Sequence, residues 1–108
     1  MADITSVKGS LNGVALNFVA CDSAGDNFTN DGTVILVIRN NDTVAHNVTI
    51  EAQKKCNQGH LHNIDKSIPA GTTVYFENME AARFSDENGK TYVSYDTATN
   101  MEIAVLDY

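Results

Sequence analysis

The chain has 108 residues, a length that suits one domain and is too short for two independent hydrophobic cores. It carries 7 lysines and arginines against 14 aspartates and glutamates, which gives a formal net charge of -7. Such an acidic surface repels phosphate backbones, so the composition argues against nucleic-acid binding. No apolar run approaches the roughly 20 residues of a membrane span, which argues against a membrane protein.

The first residues predict where the protein folds. They read Met-Ala-Asp-Ile-Thr and lack the basic and apolar regions of a secretory signal, so we expect synthesis in a reducing cytosol. A disulfide between Cys21 and Cys56 would close a long loop, but a cytosolic origin argues against it. The pattern over residues 1–12 is weak and predicts a flexible N-terminal arm, followed by one domain over residues 13–108.

The residue types favour strands and turns. Hydrophobic residues make up 43% of the chain, proline occurs once and tryptophan is absent. Asparagine, aspartate, glycine and threonine supply turns and strand surfaces, and none of them favours the interior of a helix. The composition therefore predicts an all-β protein.

Seven short segments have the alternating or β-branched pattern of strands. They are residues 14–20, 33–39, 44–51, 63–68, 72–77, 91–96 and 101–106. The second is the most apolar and predicts a central strand covered on both faces or a strand that crosses the sandwich interior. The short turn after it predicts a hairpin with the third. Residues 21–31 are interpreted as a polar connection, and residues 79–84 as one helical turn. Together these features predict a single-domain antiparallel β-sandwich of about seven short strands.

Histidine and cysteine side chains provide the candidate metal ligands. His46, Cys56, His60 and Met79 follow the order of a blue-copper site, and His62 adds a second histidine to the same loop. In blue-copper proteins, however, that loop lies between the last two strands, and here several strands follow it. We interpret residues 56–62 as a solvated polar loop and expect no cofactor. A copper- or zinc-binding β-sandwich is the alternative.

No group of residues predicts catalysis. A Gly-x-Ser-x-Gly elbow is absent, Cys56 has no evident orienting partner, and the carboxylates are scattered through turns. We therefore expect that the protein is not an enzyme. A carbohydrate- or receptor-binding module on a viral fibre is a further alternative, but the aromatic content of 7% and the lack of tryptophan argue against it.

Several turn-plus-strand segments occur in an order and spacing that resemble a family. They are Gly25-Asp-Asn-Phe-Thr-Asn-Asp-Gly-Thr33 with the apolar strand 34–38, Ile68-Pro-Ala-Gly71, Arg83-Phe-Ser-Asp86 before Gly89, Val93-Ser-Tyr95 and Ile103-Ala-Val105. The chain thereby resembles small bacteriophage virion proteins that are encoded beside the major capsid gene and interpreted as head decoration, or cement, proteins. It departs from them at residues 78–82, where they are richer in proline and glycine.

The resemblance implies a place and a partner. It implies a structural protein that is made in the host bacterial cytoplasm, binds the major capsid protein on the outer surface of the capsid and forms a homotrimer there. Arginine and aromatic residues are enriched in interface hot spots, so Met79, Arg83 and Phe84 are the candidate partner contacts. For Phe84 the alternative is a plug that closes one end of the sandwich.

Overall fold

A computed structural model describes residues 2–8, 13, 15–53, 63–77 and 84–107 of the chain. Within these residues the structure is built from strands, so the all-β prediction is confirmed. The ten strands are β1 Ala2–Ile4, β2 Val7–Lys8, β3 Val19–Ala20, β4 Asp26–Thr29, β5 Val34–Asn40, β6 His46–Glu51, β7 Ile64–Ile68, β8 Thr73–Phe76, β9 Lys90–Tyr95 and β10 Met101–Asp107. No helix in this part of the chain has the length and hydrophobicity required to cross a membrane.

The strands form two sheets. One has the order β1-β4-β9-β6-β7, and the other has the order β2-β10-β5-β8, with β3 also pairing with β10. From β3 onward, β6 and β7 form a hairpin, and each of the other described connections crosses from one sheet to the other. The order β4-β9-β6-β7 opposite β3-β10-β5-β8 is that of a jelly roll. The predicted β-sandwich is confirmed, with jelly-roll topology.

Alternate residues of the central strands fill the space between the sheets. Ile38 lies opposite Ile103, and Leu36 lies opposite Val105, in the register of β5 and β10. All four are buried, and Phe28 from the other sheet belongs to the same core cluster. Burying side chains of this size stabilises the fold by about 1.5–3 kcal/mol each.

The two central strands of the second sheet are also covered on their outer face. Val37 and Ala104 pair across β5 and β10, point away from the core and are nevertheless buried. Beside them the Arg39 guanidinium lies 3.9 Å from the centre of the Phe18 ring and 2.9 Å from Glu102 Oε1. The prediction that β5 is covered on both faces is confirmed.

The predicted hairpin between the second and third segments is wrong, because β5 and β6 belong to different sheets. The Asn40 side chain stabilises the crossing. Its Nδ2 donates hydrogen bonds of 2.9 Å to the carbonyl oxygens of Val44 and Ile68. This amide replaces the backbone pairing that a hairpin would have supplied.

The N-terminal part of the chain also differs from its prediction. Residues 2–4 and 7–8, expected within a flexible arm, instead form β1, which runs parallel to β4, and β2, which runs parallel to β10. Ile4 is buried against the core. Of the strand predicted at 14–20, the described residues keep Val19–Ala20. Of the helical turn predicted at 79–84, residues 79–83 lie outside the described residues, and the description resumes at Phe84.

Candidate partner-binding end of the sandwich

In the jelly-roll topology, each connection between strands starts and finishes at the same end of the sandwich. The connection at 30–33 lies at one end, which we call the Asn30 end, and the described residues 52–53, 63, 77 and 84–89 lie at the same end. The connections at 21–25, 41–45, 69–72 and 96–100 lie at the other, the His46 end. The segments 54–62 and 78–83, which hold most of the candidate residues from the sequence, therefore leave and rejoin the sandwich at the Asn30 end.

Asn30 is the centre of a buried hydrogen-bond network. Its backbone N–H donates to the Gly89 carbonyl oxygen at 2.9 Å, and its Nδ2 donates to Thr91 Oγ1 at 3.0 Å. Its Oδ1 accepts a hydrogen bond of 2.9 Å from the Gly32 N–H. The side chain thus fixes the turn between β4 and β5 and joins it to the start of β9.

The same network holds the residues that follow segment 78–83. Ser85 Oγ donates to the Asn30 carbonyl oxygen at 2.8 Å, and Thr91 Oγ1 donates to the Phe84 carbonyl oxygen at 3.2 Å. Ser85 and Thr91 are buried, as is Asn30. Buried polar groups with satisfied hydrogen bonds rigidify the structure around them. The chain is therefore firmly anchored where it leaves segment 78–83.

Asp86 organises the turn that comes next. Its Oδ1 accepts from the backbone N–H groups of Asn88 (2.8 Å) and Lys90 (3.0 Å), and its Oδ2 accepts from the Tyr92 hydroxyl at 2.5 Å. The Tyr92 hydrogen bond, together with that from the Lys90 N–H, lowers the pKa of the Asp86 carboxyl below its usual range. Gly89 has a φ of 74°, which the turn needs and which glycine adopts without strain.

Phe84 has to be reassigned among the candidate contacts. Its side chain is 2% exposed and belongs to the core cluster, so it is not available to a partner. The structure corrects this candidate in favour of the plug, because an aromatic ring gains more by filling the end of the core than by facing water. Met79 and Arg83 lie outside the described residues and stay predictions.

His46 lies at one end of β6, and the segments that contain the other candidate metal ligands leave and rejoin the sandwich at the opposite end. It begins β6 at the His46 end, and β6 extends over roughly 17 Å before the connection that contains Cys56, His60 and His62. His46 is 4% exposed, with Nε2 2.9 Å from Asp42 Oδ2 and Nδ1 3.8 Å from a carboxylate oxygen of Asp96. The His46 ring thus lies between the connection at 41–45 and the connection at 96–100.

The solvated polar loop stays a prediction and metal binding by it stays the alternative, since Cys56, His60 and His62 lie outside the described residues. Among the residues that are described, no three histidine, cysteine, aspartate or glutamate side chains are grouped to hold a metal ion. Cys21 is a free thiol.

A second polar cluster, at the His46 end, was not evident from the sequence. Asp26 is buried, and its Oδ2 accepts from the Tyr95 hydroxyl at 2.6 Å and from the Asp22 N–H at 3.2 Å. Its Oδ1 is buried without a hydrogen-bond partner among the described residues. Burial raises the pKa of the Asp26 carboxyl, and burial raises the pKa of the neighbouring Cys21 thiol to about 12. A thiol with that pKa is unreactive near neutral pH.

Asp26→Asn tests the protonation of this cluster. Because the folded pKa of Asp26 lies above its unfolded value, the group favours folding when protonated and loses that contribution as pH rises through the folded pKa. Asparagine cannot ionise, so the stability of the variant relative to the parent should increase from pH 4 to pH 7. Urea unfolding of both proteins across this range measures the difference. A difference that does not change with pH would contradict the assignment.

The chain was compared with protein-family models, with curated proteins and with solved structures, and no match was found in any of the three.

Proposed function

We propose that this chain is a bacteriophage head decoration protein that binds the outer surface of the capsid and stabilises it. The observation that supports the proposal most is the Asn30 network. It connects two of the segments that carry the resemblance, the Asn30-Asp-Gly turn and the Phe84-Ser-Asp segment before Gly89. Two motifs that lie far apart in the sequence are thus parts of one buried structural unit.

This unit suits a protein that acts by contact. The Asn30 network and the Phe84 plug fix the point where segment 78–83 rejoins the sandwich, and Arg83 directly precedes this rigid point in the sequence. A rigid support reduces the entropy lost on binding. Many copies on a symmetric shell then multiply a modest contact through repetition. Jelly rolls serve as viral capsid and lectin domains, which agrees with this mode of action.

Addition of the purified protein to expanded, undecorated capsids tests the proposal. The resemblance implies that the capsids to use are those formed by a major capsid protein encoded beside this chain. We expect stoichiometric binding, measured by cosedimentation, and a higher temperature of shell disruption. Absence of binding at saturating concentration would contradict the proposal.

A pair of charge reversals tests which end of the sandwich binds. Arg83→Glu changes the candidate contact, and Lys66→Glu makes the same charge change at an exposed residue of β7. If Arg83 is a hot spot, its reversal should weaken capsid binding at least about tenfold, which corresponds to about 1.4 kcal/mol. The Lys66 variant should bind as the parent does. Equal losses in both variants would show that general charge, and not the Asn30 end, determines binding.

A further inference from the structure

Strand β8 lies at an edge of the second sheet and has backbone groups available for pairing. Among the described residues it pairs with β5, and no strand pairs with its other side. The Asn40 N–H donates to the Thr72 carbonyl oxygen at 2.9 Å, so hydrogen-bonded pairs continue at alternate residues and include Val74. Thr73 and Tyr75 therefore direct their N–H and C=O groups outward, to the free side of the strand.

This edge carries less charge than the edge of the first sheet that is formed by β7. Strand β7 carries exposed Asp65 and Lys66, and charges of this kind discourage a second strand from adding to an edge. Residues 69–76, in contrast, contain no charged side chain. In a chain with a net charge of -7, this uncharged stretch is a place where two copies can approach with little repulsion.

The side chains of β8 are incompletely covered. Tyr75 is 64% exposed on the outer face of the sheet. Val74 and Phe76 pack against the core on the inner face, but both are only partly buried. A strand added beside β8 would bury more of all three side chains and would satisfy the outward backbone groups of the edge.

We propose that β8 pairs with β8 of a second copy of this chain, antiparallel and about a two-fold axis. The outward backbone N–H and C=O groups of Thr73 and Tyr75 then set the register. Thr73 of each copy lies opposite Tyr75 of the other, and the two Val74 residues meet at the axis. This register makes four backbone hydrogen bonds, two in each Thr73–Tyr75 pair. It places Glu77 opposite Gly71, so no like charges face each other. The contact is self-complementary, as a two-fold interface requires.

Sedimentation equilibrium and amide exchange test this pairing. The mass should rise with concentration from the 11.7 kDa of the monomer to twice that value. The amides of Thr73 and Tyr75 should exchange rapidly in dilute samples and become protected as the dimer forms. The Val74 amide, which is bonded to β5, should be protected at every concentration. A chain that stays monomeric at millimolar concentration, or that forms trimers in solution, would overturn the proposal.

Two variants locate the interface, and a third controls for added charge. Tyr75→Lys places a charge at the edge, and Thr73→Pro removes an outward N–H without touching the β5 ladder. Each should raise the dissociation constant of the dimer at least about tenfold. Val44→Lys adds the same charge at a residue that is 56% exposed at the His46 end, and it should leave the dimer unchanged. A dimer that resists both edge variants would place the interface elsewhere and overturn the proposal.

Discussion

Phe84→Ala should lower the free energy of unfolding by about 3–5 kcal/mol, the range for removing a fully buried aromatic ring. The ring is 2% exposed and closes the core beside the Asn30 network, so its removal leaves a cavity that the anchored backbone cannot readily fill. Chemical unfolding monitored by circular dichroism measures the change. A loss below about 1 kcal/mol would show that the ring is not part of the core.

Two controls separate the plug from a contact. Phe84→Leu keeps most of the volume and should cost less than about 1.5 kcal/mol. Val44→Ala, at an exposed apolar residue, should change stability by no more than about 0.5 kcal/mol. If Phe84 only closes the core, Phe84→Leu should bind capsids as tightly as the parent. A large loss of binding with intact stability would return Phe84 to the candidate contacts.

Asn30→Ala should lower the free energy of unfolding by about 2–4 kcal/mol. The substitution removes the buried hydrogen bond to Thr91 Oγ1, whose loss leaves a buried hydroxyl with one partner fewer at a cost of about 1–3 kcal/mol. It also removes the part-buried hydrogen bond accepted from the Gly32 N–H, which contributes about 0.5–1.5 kcal/mol. Because the same side chain joins the β4–β5 turn to the residues after segment 78–83, we also expect weaker capsid binding. Urea unfolding and cosedimentation measure the two effects.

A double-mutant cycle with Thr91→Val shows whether the network acts as a unit. Valine has nearly the shape of threonine but lacks the hydroxyl that accepts from Asn30 and donates to the Phe84 carbonyl oxygen. The combined loss should be smaller than the sum of the single losses by about 0.5–3 kcal/mol, since both changes break the same hydrogen bond. Additive losses would contradict a connected network.

The fold class could be predicted because the central strands carry the pattern themselves. In β5 and β10, runs of β-branched and aliphatic residues lie between turn residues, and the consecutive residues in the middle of each strand are buried on both faces. Strand β4 was missed because Asp26-Asn-Phe-Thr29 has a single large apolar side chain, Phe28. Strands β1 and β2 have three and two residues, which is too short to show a period.

The topology and the candidate site depend on partners that a local pattern does not contain. The turn after β5 has the length of a hairpin, but Asn40 bonds to Ile68, 28 residues away, and the chain crosses to the other sheet. Asn30 was predicted within a polar connection, whereas its partner Thr91 lies 61 residues away. His46 has the chemistry of a metal ligand, and only the three-dimensional structure shows the carboxylate of Asp42 beside it. Such pairings follow from the jelly-roll order of the strands.

The parallel pairing of β1 with β4 has a consequence for display. Ala2 lies beside Asp26 at the His46 end, whereas Asp107 lies beside Val34 at the Asn30 end. A peptide fused ahead of Ala2 would therefore emerge on the side opposite the proposed capsid contact, and one fused after Asp107 would emerge next to it. With the Asn30 end seated on a shell, the amino-terminal fusion is the one that would project into the surrounding medium as an accessible epitope.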